Sequence, residues 1–183
     1  MTARDRLLDL IRAKAVVHGA VTLSSGQQAS FYFDLRRITL SGEAAPLVGA
    51  VMSELVADLD VEAAGGLTMG ADPVATAMLH AAAAQGRRLD AFVVRKTEKA
   101  HGMQQRIEGP SIAGRRVLVV EDTSTTGNSP LTAVAACREA GAYVVAVAVI
   151  ADRASGAEEK VRALGLDYRA AYGVEELGLP ATP

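Results

Sequence analysis

VLVVEDTSTTGNSP, residues 117–130, sets four apolar residues, two carboxylates, a hydroxyl-rich turn and a helix start end to end. Consecutive apolar residues without polar alternation read as a strand buried on both faces, here 117–122. TSTTGN then reads as a turn, and Ser129 with Pro130 as the cap and first-turn proline of a helix that runs to Gly141. Ligands in open α/β sheets bind at the carboxyl ends of strands, which is where Glu121 and Asp122 arrive. Residues 123–129 offer backbone amides, hydroxyls and a glycine at a helix N-terminus, a setting suited to a phosphate monoester. Two carboxylates beside such a cradle would repel the phosphate. They make sense if they bind sugar hydroxyls or sit near a magnesium ion that bridges to phosphates.

Apolar residues before Glu-Asp also occur on the metal-binding strand of P-loop nucleotidases, but no GxxxxGK[ST] is present. A nucleophile elbow fails as well, because GxSxG would need glycine where Leu131 stands. Outward from the motif, AFVVR (91–95) and YVVAVAVIAD (143–152) repeat the buried-strand pattern, and a strand after Ala64 ends at Thr68. Helices are expected over 3–17, over roughly 43–58 behind Ser41, from an Asp72–Pro73 cap to Gly86, and after a Ser155–Glu158 capping box. Strands alternating with helices predict a parallel sheet covered on both faces.

At 183 residues the chain fits one domain, 1–183. Half of it is hydrophobic, 22% is charged and the net charge is −2, which gives no reason to expect nucleic-acid binding. The longest apolar run, Tyr143 to Ala151, is far short of the roughly 20 residues that span a bilayer. The first residues read as an amphipathic helix rather than a signal peptide, so no membrane role and a cytoplasmic location are expected. One cysteine, Cys137, excludes an internal disulfide. Against this slightly acidic background, RKTEKAHGMQQR (95–106) holds Arg95, Lys96, Lys99 and Arg106 against Glu98, a local charge of +3. The segment 96–114 is polar and without period, a long exposed loop. A basic lid of this kind would stabilise a departing polyanion and shut out water. His101 within it could serve as an acid near neutral pH.

VLVVEDTSTTGNS resembles the motif with which type I phosphoribosyltransferases bind phosphoribosyl pyrophosphate (PRPP). The resemblance implies that Glu121 and Asp122 face the ribose hydroxyls. Thr123, Ser124, Thr125, Thr126, Gly127, Asn128 and Ser129 would form the rest of the PRPP site. RKxxKxHG is similar to the mobile catalytic loop of the orotate phosphoribosyltransferases, which implies PRPP contacts from Arg95, Lys96, Lys99 and His101. Lys99, His101 and Asp122 are then the catalytic candidates. FYFDLRR (31–37) resembles that family's base-side segment, where Tyr32 and Phe33 would pack on the pyrimidine, and Arg153 matches its orotate arginine, with Thr125 nearby. A planar guanidinium suits a carboxylate-bearing ring. Many relatives carry lysine where this chain has Ser24 and Gly70 or Ala71, and Gln27, Gln28 or neighbouring cations would substitute.

The implied architecture is the type I α/β fold, a central parallel sheet flanked by helices, with a small hood formed mainly by 1–40. The implied reaction joins orotate to PRPP, releasing pyrophosphate and orotidine 5'-monophosphate, in de novo pyrimidine biosynthesis. Mg2+ would be carried mainly by PRPP, with no direct protein ligand set and Glu121 and Asp122 nearby. The implied assembly is a homodimer whose loop is shared across the interface. Transfer to another base, or a PRPP-sensing regulator without turnover, are the rival readings; a regulator would need neither the basic lid nor Arg153.

Overall fold

The computed structural model describes residues 1–22, 28–96 and 106–178 and, within these, the side chains of all but 18–22 and 28–32. Helix α1, Ala3–Lys14, opens on a capping box in which Thr2 Oγ1 accepts from the Asp5 amide at 3.1 Å and Asp5 Oδ2 accepts from the Thr2 amide at 2.9 Å. It buries Leu7 and Ile11. The helix expected to reach residue 17 stops earlier. β-Branched Val16 and Val17 leave it to start β1, Val16–Thr22, which pairs antiparallel with β2, Gln28–Phe33. A single helical turn, α2 (Arg36–Thr39), follows.

A second sheet of six strands forms the body, in the order β5-β4-β3-β6-β7-β8. Its members are β3 Ala63–Leu67, β4 Asp90–Val94, β5 Ile107–Glu108, β6 Arg116–Ser124, β7 Tyr143–Asp152 and β8 Asp167–Gly173. All pairings are parallel except β4 with β5. Helices α3 (Ala45–Leu55) and α4 (Ala71–Ala84) join α1 on one face, while α5 (Asn128–Glu139) and α6 (Ala157–Ala163) take the other. A last turn, α7, spans Val174–Leu177.

The unbroken apolar strands have a simple physical cause. On β6, Leu118 and Val120 pack among α1, α3 and α4, whereas Val117 and Val119 pack against α5. On β7, Ala146, Ala148 and Ile150 face the first layer and Val147 and Val149 the second. Every residue of such a strand meets a core, so alternation disappears, and each fully buried Val, Leu or Ile contributes about 1.5–3 kcal/mol.

Several boundaries differ from the sequence reading. Ser41 contributes its carbonyl, accepting from the amides of Ala44 and Ala45, and α3 starts at Ala45 rather than 43. Gly70, not Asp72, caps α4; the Asp72 carboxylate accepts instead from Thr68 Oγ1 at 2.7 Å. Gly127 and Gly156, both left-handed, occupy the N-cap positions of α5 and α6, so Ser129 lies inside its helix and the Ser155–Glu158 box does not form. Glu158 pairs one turn on with Arg162. The stretch expected to be loop over 96–114 contains β5, whose Ile107 and Glu108 pair with Val94 and Val93. Strand β8 carried no signal, because its polar residues Asp167 and Arg169 are satisfied locally by an ion pair with each other and by Arg169 with Asp58.

Candidate active site

Chain direction places the site. From β3 the chain leaves through α4 toward β4, and from β6 through α5 toward β7, so connections diverge between the central neighbours β3 and β6. A crevice opens where connections diverge in this way. Here it is a cleft of about 340 Å³, walled by the loop after β3 (Thr68, Met69, Gly70), the end of β6 (Glu121, Asp122, Thr123, Thr125), Ser129 of α5, Arg153 after β7, Lys96 after β4, and Phe33 to Arg36 from the small sheet. A larger hollow of about 490 Å³ lies between the stretch from Arg106 to Ala113 and α5, but it has no comparable gathering of opposite charges.

Glu121 is 5% exposed, and its Oε1 accepts from the Asp122 amide at 3.2 Å. Burial first, then the adjacent Asp122 charge, pushes Glu121 up to about 8. Asp122 is also raised by burial, although its Oδ1 accepts from the Thr123 amide at 2.6 Å and the Arg36 charge opposes the rise. Both carboxyls are thus pushed toward the protonated form, and burial is the first cause for each. The loop crossing these carboxylates is glycine for a steric reason: a Cβ on Gly70 would stand 2.1 Å from Glu121 Oε1 and 2.9 Å from Asp122 Oδ1. A side chain at 70 would require the ends of the two acidic side chains to shift.

Gly127 turns the chain from β6 into α5 with φ of 79°, and this left-handed residue lets the cradle amides and the helix N-terminus share one corner. Thr123, Thr125 and Ser129 line the cleft. Thr126 and Asn128 are exposed; the Thr126 carbonyl accepts from Lys160 Nζ at 2.7 Å, which brings a cation to the outer wall that the sequence reading did not single out. Ser124 is 1% exposed and turns its hydroxyl inward, away from the lining residues.

Of the basic segment, Lys96 lines the cleft, whereas Arg95 pairs with Glu108 at 3.3 Å. Lys99 and His101 lie outside the described residues. Phe33 closes one edge, 7% exposed; the Tyr32 side chain is not among those described. Asp34 and Arg36 were missed by the sequence reading. Asp34 Oδ1 accepts from the Arg36 amide at 3.1 Å and from Nε at 2.9 Å, holding the guanidinium on the Asp122 side. An acid two residues before an arginine in FYFDLRR was the available signal. Among the described residues no group of three or more His, Cys, Asp or Glu could hold a metal by itself. A carboxylate pair that does not form a complete ligand set suits a magnesium ion that arrives with phosphate oxygens, since this ion keeps most of its coordination sphere for water and phosphate.

A carboxylate pair at the mouth of a parallel strand, a left-handed turn and a helix N-terminus at a sheet switch point are the parts of a phosphoribosyltransferase. Residues 43–167 match the phosphoribosyl transferase domain family. An orotate phosphoribosyltransferase of Streptomyces avermitilis is 72% identical over 177 residues, covering 96% of this chain and 97% of the relative. The crystal structure of Mycobacterium tuberculosis H37Rv orotate phosphoribosyltransferase in complex with Fe(III) dicitrate is similar with a TM-score of 0.90 at 58% identity, covering 97% of this chain and 100% of the other. The same enzyme in complex with PRPP gives a TM-score of 0.86 at 53% identity over 97% and 100%. The chain belongs to the orotate phosphoribosyltransferase family.

Proposed function

We propose that the protein transfers the 5-phosphoribosyl group of PRPP to a ring nitrogen of orotate, yielding orotidine 5'-monophosphate and pyrophosphate, the reaction that serves de novo pyrimidine biosynthesis. The observation that carries the reading is the Glu121–Asp122 pair, Glu121 buried and Asp122 half-buried, opening directly into the Gly127 turn and the α5 N-terminus. A ribose 5-phosphate laid along that line has its phosphate on the amides of 123–127 and its hydroxyls against the two acids. Two adjacent carboxyl groups offer enough oxygens to meet two vicinal hydroxyls. Lys96 stands at the pyrophosphate end, and Arg95, Lys99 and His101 are its proposed companions on the lid. Arg153 and Phe33 take the base, the guanidinium meeting the orotate carboxylate and the ring packing on the pyrimidine. No covalent nucleophile is needed, and positioning with charge stabilisation carries the displacement. Glu121 and Asp122 would lie beside a magnesium ion carried mainly by PRPP, which would supply charge neutralisation for the leaving pyrophosphate.

The proposed assembly is a homodimer. Leu40 and Met69, 72% and 63% exposed, border an apolar groove of about 470 Å³ formed with Ala45, Pro73, Ala77 and His80. Arg36 and Met69 belong to both this groove and the catalytic cleft, so a second copy seated there would lie beside the active site. No helix of the described residues is long and apolar enough to cross a membrane, and we place the enzyme in the cytoplasm. An absorbance assay with orotate, PRPP and magnesium tests the reading, with uracil, hypoxanthine and adenine as competing bases. Orotate is expected to turn over fastest, and a faster rate with any of the others rejects it.

A further inference from the structure

The chain between β7 and α6 is held more firmly than its loop position requires. Arg153 follows β7, and its amide donates to the Ser124 carbonyl at 2.9 Å, adding a bond beyond the Ser124–Asp152 pair that ends the β6–β7 ladder. One residue further on, the Ala154 amide donates to Asp152 Oδ1 at 3.0 Å, closing a turn across Arg153. Ser155 Oγ donates to the Arg153 carbonyl at 3.2 Å. Both backbone groups of Arg153, and the amide after it, are therefore tied.

Ala154 has φ of 52°, and among the described residues it is the one non-glycine in the left-handed region. That conformation is uncommon for a residue with a Cβ and persists only when the surroundings impose it. The side chain bonded to the Ala154 amide is the Asp152 carboxylate. Asp152 itself is not part of the cleft: it lines a separate exposed hollow with Ala154, Gly156 and Glu158, while Arg153 lines the catalytic cleft. The turn thus places the two neighbours in different hollows, with Arg153 in the catalytic cleft. The buried Tyr168 hydroxyl feels the Asp152 charge from the packed side, with Ser124 next to it.

We propose that Asp152, through its bond to the left-handed Ala154, is a positioning residue that aims Arg153 at the carboxylate of the incoming base and so sets the preference for a carboxylated pyrimidine. The inference rests on the reading of Arg153 as the base-side arginine given above. An arginine on a free loop would recover its own conformational freedom and lose the paired geometry on which a planar carboxylate depends.

The test compares Arg153→Ala, Asp152→Ala, Asp152→Asn and Ala154→Val in steady-state kinetics, with calorimetric PRPP binding and thermal midpoints alongside. Asp152→Ala should raise KM for orotate about tenfold or more while PRPP affinity stays within about twofold of the parent. Ala154→Val, at an exposed position where a β-branched residue resists positive φ, should show the same orotate-selective loss without depending on any change at Asp152. Asp152→Asn retains an acceptor oxygen and should restore KM to near the parent value. If Arg153→Ala raises KM for orotate but Asp152→Ala and Ala154→Val do not, the positioning role is overturned and the arginine assignment stands. If Arg153→Ala leaves KM for orotate unchanged, the assignment itself falls and the inference with it. Parallel loss of PRPP and orotate, together with a lowered midpoint in both turn variants, also overturns it, as that is the signature of a purely structural turn.

Discussion

Glu121 shows at the scale of one residue what the site costs the fold. Its carboxyl is raised from 4.5 to about 8 by burial and by Asp122, so the folded state binds a proton that the unfolded chain has released above pH 4.5. The corresponding stability is fully present below about 4.5 and is lost as pH rises through about 8. The thermal midpoint of the ligand-free protein should therefore fall across this window, and Glu121→Gln, neutral at every pH, should flatten the decline. Fluorimetric melts over the window check this, and parallel declines in both proteins would contradict it. Asp122→Asn should keep its midpoint but lose PRPP binding in calorimetry; unchanged affinity would remove Asp122 from the ribose site. Both acids were legible in the sequence. The upward shift of their carboxyls was not, because it depends first on burial, which only the folded chain creates.

Element by element, composition located strands and helices well and their ends less well. The apolar runs at 91–95, 117–122 and 143–152 became β4, β6 and β7 because two helical layers bury both faces. Side-chain capping signals misled at α4, α5 and α6, where glycine takes the N-cap and the polar candidates find other partners. Strand β5 was illegible for a related reason: two residues carry no periodicity, and pairing with β4 alone makes them a strand. At α5 the left-handed Gly127 is confined further, since a Cβ there would approach Ala157 Cα at 3.1 Å. Gly127→Ala is expected to cost about 1–2 kcal/mol of stability in urea unfolding. It should also weaken PRPP more than orotate, because the cradle amides move with the turn. Equal weakening of both ligands would argue that the turn has no special tie to the phosphate.

At the scale of the whole molecule the proposal concerns a second copy of the chain. The proposed dimer predicts that a loop-dead variant, Lys99→Ala with His101→Ala, and a site-dead variant, Asp122→Ala, will complement each other after subunit exchange. With a loop working in trans, each mixed dimer regains one intact centre. Random mixing then restores roughly a quarter of parental activity. No recovery after demonstrated exchange would exclude a shared site. Leu40→Asp with Met69→Lys should abolish the assembly, which light scattering would register as a halved mass; an unchanged mass would move the interface elsewhere.

The sequence by itself determined the parts that depend on local order along the chain: the alternation of buried strands and helices, the acid pair at a strand end, the hydroxyl-rich turn and the concentration of cations in 95–106. Each is written in consecutive residues, where period and chemistry can be read directly. Only the tertiary structure decided that β3 lies beside β6 so that a cleft opens between them, that Gly70 passes close against Glu121, that Asp34 and Arg36 reach the site, and that Asp152 and Arg153 line different hollows. Those features arise from contacts between segments far apart in the chain, and from a backbone turn whose hand is imposed by its surroundings rather than by the preference of alanine.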